Sequence, residues 1–165
     1  MANLVLLKHG EIQFFPDGSQ TGHLAPGSCI EMIRMAEAAL GAIPERLRWP
    51  RPSILSGIEK EATVTATLIA HLFHTAWTVR PALSETIDRA ELREFAAACL
   101  AADRPIIAVS HEHTINALAD ELKRQNGPYT DRRNGPLVRY QGLAIDTQNR
   151  NIDIIKAPPF FASDP

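Results

Sequence analysis

Leu4-Val5-Leu6-Leu7-Lys8-His9-Gly10-Glu11 opens the chain with four consecutive apolar residues that stop at a lysine and a histidine. A run this short, without polar alternation and closed by charge, reads as a strand covered on both faces, the arrangement of a parallel sheet. It is too short for a signal peptide or a membrane span, and no basic leader precedes it.

Outward from this run, short apolar stretches alternate with amphipathic ones. Ser53 to Leu55, Trp77 to Val79 and Pro105 to Val109 read as further strands. Ile30, Ile33, Ala36, Leu40 and Ile43 keep helical spacing, and Ser28 with Glu31 forms a capping box at the start of that helix. A second helix is expected from about Glu59 to Phe73, with Ala62, Thr65, Ile69 and Leu72 on one face. A third carries Leu92, Phe95, Ala96, Cys99 and Leu100, and a fourth Ile115, Leu118, Ala119 and Leu122. Strand–helix alternation at this spacing implies right-handed crossovers and an α/β fold: a mainly parallel sheet with helices on both faces. Gly142 to Asp146 and Ile152 to Ile155 add a C-terminal hairpin. Residues 1–157 make one domain and 158–165, rich in proline, a loose tail. Glu11 to Ala25 and Asn126 to Pro136, rich in Gly, Pro, Asn and Asp, read as loops lying over a site.

The chain has 165 residues and a formal net charge of −2, enough length for a core without disulfides or metals. Its charges are dispersed, which argues against a nucleic-acid groove or an anionic membrane surface as partner. Cys29 and Cys99 both lie in helical stretches and read as small core residues of a reduced, cytoplasmic protein. A small-molecule substrate is the expected partner, and a homodimer is compatible with the chain.

In a parallel sheet, ligands sit beyond the carboxyl ends of the strands. Those positions are Lys8-His9-Gly10-Glu11, Ser56-Gly57 and Ser110-His111-Glu112-His113, so two strand ends carry histidine beside charged or hydroxyl residues. A neutral imidazole is a nucleophile near pH 7 whose second nitrogen can be fixed by a backbone carbonyl. Phosphoryl transfer needs in-line positioning and positive charge around the equatorial oxygens, and a helix opening after His111 adds its N–H groups to that field.

Several blocks resemble one family, the histidine phosphatases of phosphoglycerate mutase-like fold. Leu4 to Glu11 is similar to the family's strand and Arg-His-Gly-Glu signature. Leu24-Ala25-Pro26-Gly27 resembles its Leu-Thr-Pro-Gly lead into the first helix. Ile54-Leu55-Ser56 with Ala62 and Thr65-Ala66 resembles its Leu-Ser-Ser, Arg-Ala and Thr-Ala block, and Ile106 to His111 the strand with its second histidine. The hairpin at Gly142 to Ile155 resembles its closing strands, so the resemblance spans roughly residues 3 to 155. It implies that His9 attacks phosphorus to form a phosphohistidine and that His111 clamps the phosphoryl oxygens across a phosphate-sized pocket. Lys8, Gly10, Ser56, Lys60, Glu61 and His113 would line the substrate. Either Glu112, directly after His111, or Glu85, in Leu83-Ser84-Glu85, would protonate the leaving group. No metal or organic cofactor is implied.

Two departures matter. Lys8 stands where the family has arginine, keeping the charge without the planar fork. Glu61 falls where the second arginine belongs, with Lys60 beside it. A carboxylate ~4 Å from a phosphoryl oxygen repels it by about 4 kcal/mol at an effective dielectric near 20, enough to cancel a good clamp. Either Lys60 turns inward, or the ligand carries a group that suits Glu61, or phosphatase activity is gone. The rival readings are therefore a non-catalytic ligand- or partner-binding protein and an enzyme that reuses the histidines for acid–base work. His111-Glu112-His113 with His9 or His23 would be a metal site only with further ligands. His71 and His74 on the second helix read as surface histidines, and Arg132-Arg133 as a solvated turn rather than a second anion site.

Overall fold

The computed structural model describes residues 2–48 and 51–158. Leu4–Lys8 forms β1, and its side chains divide by parity between two cores. Leu4 and Leu6 join the cluster built with Leu92, Phe95, Ile115 and Leu118; Val5 and Leu7 join the one built with Met32, Met35, Ala66 and Ile69. The same parity splits Ile106 and Ala108 from Ile107 and Val109. A strand that feeds two cores cannot alternate with polar residues, which is why the opening run is continuously apolar. Each fully buried aliphatic side chain contributes about 1.5–3 kcal/mol of transfer free energy, so the four residues of β1 anchor both layers.

The remaining elements are β2 (Ile12–Phe14), β3 (Gln20–Leu24), α1 (Pro26–Ala42), β4 (Ser53–Ser56), α2 (Lys60–Leu72) and β5 (Trp77–Val79). They are followed by α3 (Arg89–Ala101), β6 (Ile106–Ser110), α4 (Glu112–Asn126), β7 (Thr130–Asp131), β8 (Gln141–Asp146) and β9 (Asn151–Lys156). The main sheet has the order β5-β4-β6-β1-β8-β9-β7, with every neighbouring pair parallel except those made by β8. Helices α1 and α2 cover one face, α3 and α4 the other. The expected α/β class, the four helices and the closing hairpin are all present.

Several local expectations are corrected. The capping box at Ser28 does not form: α1 starts one turn earlier with Pro26 in its first turn, and the Ser28 hydroxyl instead accepts the Glu11 N–H at 2.7 Å. That inward pull rotates the buried stripe to Ser28, Met32, Met35, Ala36 and Ala39 and leaves Ile30 45% exposed. Cys29 is consequently only partly covered, whereas Cys99 is buried and its thiol pushed up to about 12 by that burial.

Glu11 to Ala25 is not a loop but an antiparallel hairpin, β2–β3, packed on α2. Its short strands, interrupted by Pro16-Asp17-Gly18-Ser19, hid the alternation. Asn126 to Pro136 contains the edge strand β7 and is strapped to α4 through Arg133, so it is a fixed edge and not a lid. The tail expected at 158–165 lies outside the described residues from 159 onward. No helix among the described residues is long and apolar enough to cross a membrane.

Candidate active site

β1 and β6 are adjacent and parallel, with Lys8 paired to Ser110 at their carboxyl ends, so the next residue of each strand, His9 and His111, meets the other. The His9 N–H bonds the Ser110 carbonyl at 3.1 Å, extending the ladder by one step and fixing the loop. His9 Nδ1 faces the Gly10 carbonyl oxygen at 2.8 Å and His9 Nε2 faces His111 Nδ1 at 3.1 Å. The two rings stand edge to face with centroids 4.4 Å apart. The expected meeting of the histidines is therefore present, but they touch rather than flank a phosphate-sized space. A phosphoryl group would have to displace that contact.

Gly10 is held by α1 and α2. Its N–H is accepted by Thr65 Oγ1 at 2.9 Å, and Thr65 in turn donates to the Glu61 carbonyl at 2.7 Å. A Cβ at Gly10 would lie 2.7 Å from Ser28 Oγ and 2.8 Å from the Met32 side chain, so only glycine lets the loop approach so closely. Ser56 is fully buried, its hydroxyl donating to the Gly57 carbonyl at 2.9 Å, and acts as support below the site.

The charged residues expected around a phosphate are placed differently from expectation. Lys8 Nζ lies 3.1 Å from Glu112 Oε2 and 3.4 Å from the Leu137 carbonyl, because strand parity sends it toward α4. Lys60 does not turn inward: it is exposed, and Nζ reaches the Gln20 carbonyl at 3.3 Å. Glu61 accepts from Gln20 Nε2 at 2.8 Å, so both residues serve the β2–β3 hairpin. His113 stands at the rim, its Nε2 bonding the Glu85 carbonyl at 2.5 Å with its ring 5.9 Å from that of His111. Glu85 has an exposed side chain whose charge is felt at His111.

Glu59 was not foreseen. It is the N-cap residue of α2 and caps nothing with its side chain. Its Oε1 accepts the Glu85 N–H at 2.6 Å, and its Oε2 lies 3.8 Å from His111 Nε2. Gly57 makes the approach possible, since a Cβ there would sit 2.6 Å from Glu59 Oε2 and 2.5 Å from the Leu83 carbonyl oxygen. The signal was available as an acid three residues past the end of β4, but the resemblance drew attention to the position of Glu61. Glu59 Oε2, His111 Nε2 and Ser84 Oγ are all buried without a hydrogen-bond partner, a concentration of open valences at one strand edge. Burial first, then the neighbouring His9 ring, push the His111 pKa below the ordinary imidazole value, against the carboxylates of Glu59 and Glu85.

Among the described residues no group of three His, Cys, Asp or Glu side chains is arranged to hold a metal ion. Arg133 is not a solvated turn residue: it is half-buried and bonded to Asp131, Asp120 and Asn116.

No family model matches the chain, and no curated protein matches it. Solved structures do. The protein histidine phosphatase SixA complexed with tungstate superposes with a TM-score of 0.59 at 14% identity, covering 92% of this chain and 93% of its own. A mycobacterial glucosyl-3-phosphoglycerate phosphatase complexed with VO3 gives a TM-score of 0.59 at 15% identity, covering 92% and 96%. A structure described as mycobacterial hydrolase 1 gives 0.58 at 17%, covering 94% and 98%. The chain therefore has the phosphoglycerate mutase-like fold of the histidine phosphatases. At these identities the likeness defines the fold and leaves the chemistry to the residues at the site.

Proposed function

We propose that the protein is a phosphohydrolase that acts through a phosphohistidine on His9, with a small phosphorylated molecule as substrate. The observation that carries the reading is the His9 pair of contacts. The Gly10 carbonyl accepts only, so it fixes the hydrogen on Nδ1 and turns the Nε2 lone pair toward His111 at the strand edge. That is the tautomer and orientation a nucleophilic imidazole needs. In the first half-reaction Nε2 bonds to phosphorus as the bond from phosphorus to the leaving oxygen breaks. Water then attacks phosphorus, the phosphorus–nitrogen bond breaks, and phosphate leaves with His9 restored.

For the leaving-group proton, Glu85 is better disposed than Glu112, since Glu112 is ion-paired with Lys8 and Glu85 stands free at the rim beside His111. The occupants of two structural neighbours, tungstate and VO3, are anions of the shape this chemistry requires. Their named activities differ, on a phosphorylated protein histidine in one and a sugar phosphoglycerate in the other, so they support phosphoryl transfer without choosing a substrate.

A second reading is favoured by the same charges. With Lys8 paired to Glu112 and Glu61 accepting from Gln20, neither position offers a free cation to a phosphoryl group, which suits a non-catalytic or altered acid–base role. A screen of phosphomonoesters with wild type and His9→Ala separates the two. Turnover lost in His9→Ala supports the phosphohydrolase; no turnover of any ester, or turnover indifferent to His9→Ala, favours the second reading.

A further inference from the structure

We propose that Glu59 is a positioning residue that favours the imidazolium form of His111, offsetting part of the burial that opposes it, so that His111 supplies positive charge beside His9, where Lys8 is already paired with Glu112. The inference rests on the phosphohydrolase reading for its purpose, but not for its geometry.

Hydrogen bookkeeping along the chain of contacts leads to it. The Gly10 carbonyl oxygen can only accept, so the hydrogen of His9 is on Nδ1 and a neutral His9 presents a bare Nε2. With His9 neutral, His111 Nδ1, 3.1 Å from that lone pair, donates to it. If His111 were neutral, its remaining nitrogen would be bare as well, and would face Glu59 Oε2 at 3.8 Å with no hydrogen between them. Both atoms are buried and otherwise unpartnered, so that arrangement would set a lone pair against a carboxylate oxygen where water does not relieve it. One further proton on His111 Nε2 turns the conflict into an ion pair.

The surroundings are built to hold Glu59 there. Glu59 Oε1 is fixed by the Glu85 N–H, and the absence of a side chain at Gly57 leaves room for the carboxylate against the Leu83 backbone. The other charged or titratable groups facing His111 are His9 from the end of β1, Glu85 from the turn after Leu83, and His113 on α4. Lys8 and Glu112 neutralise each other beside it. When substrate displaces the contact between the rings, His111 Nδ1–H becomes available to a phosphoryl oxygen carrying a full charge behind it. This is the role arginine would fill at the positions held here by Lys8 and Glu61.

The direction of titration follows. Burial and His9 hold the His111 pKa below the usual imidazole value, so the imidazolium is present at lower pH and is lost as pH rises through that value. Removing Glu59 takes away the group that favours the charged form most, and the loss must move to still lower pH.

The test compares wild type with Glu59→Gln, which retains the acceptor for the Glu85 N–H, after thermal melting has confirmed that the variant is folded. Ring C–H resonances of His111, assigned by comparison with His111→Gln, are followed by NMR against pH without ligand. The His111 midpoint is expected to fall by about one pH unit or more in Glu59→Gln, and by less in Glu85→Gln, whose carboxylate acts second. Inorganic phosphate is then titrated at about pH 6, where binding to Glu59→Gln is expected to weaken by about threefold or more. The sign is decisive, because a carboxylate that merely repels anions would give tighter phosphate binding when removed. An unchanged or raised His111 midpoint, or tighter phosphate binding by Glu59→Gln, overturns the proposal. If the phosphohydrolase reading fails instead, no ester is turned over while the ligand-free titration still shows His111 coupled to Glu59.

Discussion

Helix α4 carries a charge cluster at each end, and the two are built on opposite principles. From Asn116 onward, Arg133 binds Asp131 through Nε and Nη2, Asp120 at 3.0 Å and Asn116 at 2.9 Å, while Lys123 bridges Asp120 at 2.8 Å and Asp131 at 3.0 Å. Charge is matched and the Arg133 side chain is only 14% exposed, so the cluster is a fastening for the β7 edge. At the other end, where His111 is the N-cap residue, Glu59 Oε2 and His111 Nε2 are buried and left unsatisfied. One set of charges, half-buried to exposed, is matched in full, while the other holds buried polar atoms without a hydrogen-bond partner. The satisfied set holds the fold, and the open set is where a ligand completes the structure.

Substitutions at the two ends should separate accordingly. His9→Ala is expected to have the largest effect, lowering steady-state phosphomonoester turnover at least ~1000-fold while leaving the melting temperature nearly unchanged. Comparable losses of activity and stability would mean that the site end is structural too. Arg133→Ala should do the reverse. It abandons the half-buried Asp131 carboxylate and the exposed one of Asp120 and should cost about 2 kcal/mol, read as a fall of roughly 4–8 °C in Tm with turnover per folded molecule retained.

The fastening also sets the response to acid. Burial raises the carboxyls of Asp131 and Asp120, but hydrogen bonds and charges from Arg133 and Lys123 outweigh it and hold both below their ordinary value. Their contribution is therefore complete above the unfolded carboxylate pKa of about 4 and is lost as pH falls through the lowered folded values. Denaturant unfolding of wild type should weaken below about pH 4, and Arg133→Ala should show a flatter dependence there.

A smaller effect is expected in the first turn of α4. Glu112→Gln releases Lys8 from its ion pair and should tighten inorganic phosphate binding by about tenfold, or ~1.4 kcal/mol, measured by calorimetry. Lys60→Ala should be smallest of all, within about 0.5 kcal/mol in stability and without change in phosphate affinity, since its ammonium is exposed and reaches only the hairpin. A marked loss of phosphate binding in Lys60→Ala would place that lysine in the site after all.

What could be read from the chain beforehand follows the same division. The parallel sheet was legible because burial on both faces leaves an unmistakable record in Leu4–Leu7 and Ile106–Val109, and the strand ends then located His9 and His111. Positions set by one-dimensional patterning were therefore accessible. The Ser28 hydroxyl, by contrast, has a local use as a cap and a distant use under Glu11, and nothing in sequence spacing says which wins. Lys8 offered a similar choice, and strand parity sent it to Glu112. Glu59 escaped notice because its partner, His111, lies on another strand, and only the adjacency of β4 and β6 brings the two together.

The central claim is that His9 is a nucleophile and not a structural histidine, and the most direct measurement is acid-free rapid quenching of the enzyme with a labelled phosphomonoester it turns over. The account predicts a burst of protein-bound label that is stable to base, labile to acid, formed within the first turnover and absent from His9→Ala. Label that never appears on the protein while ester is hydrolysed at full rate, or that persists in His9→Ala, would contradict it.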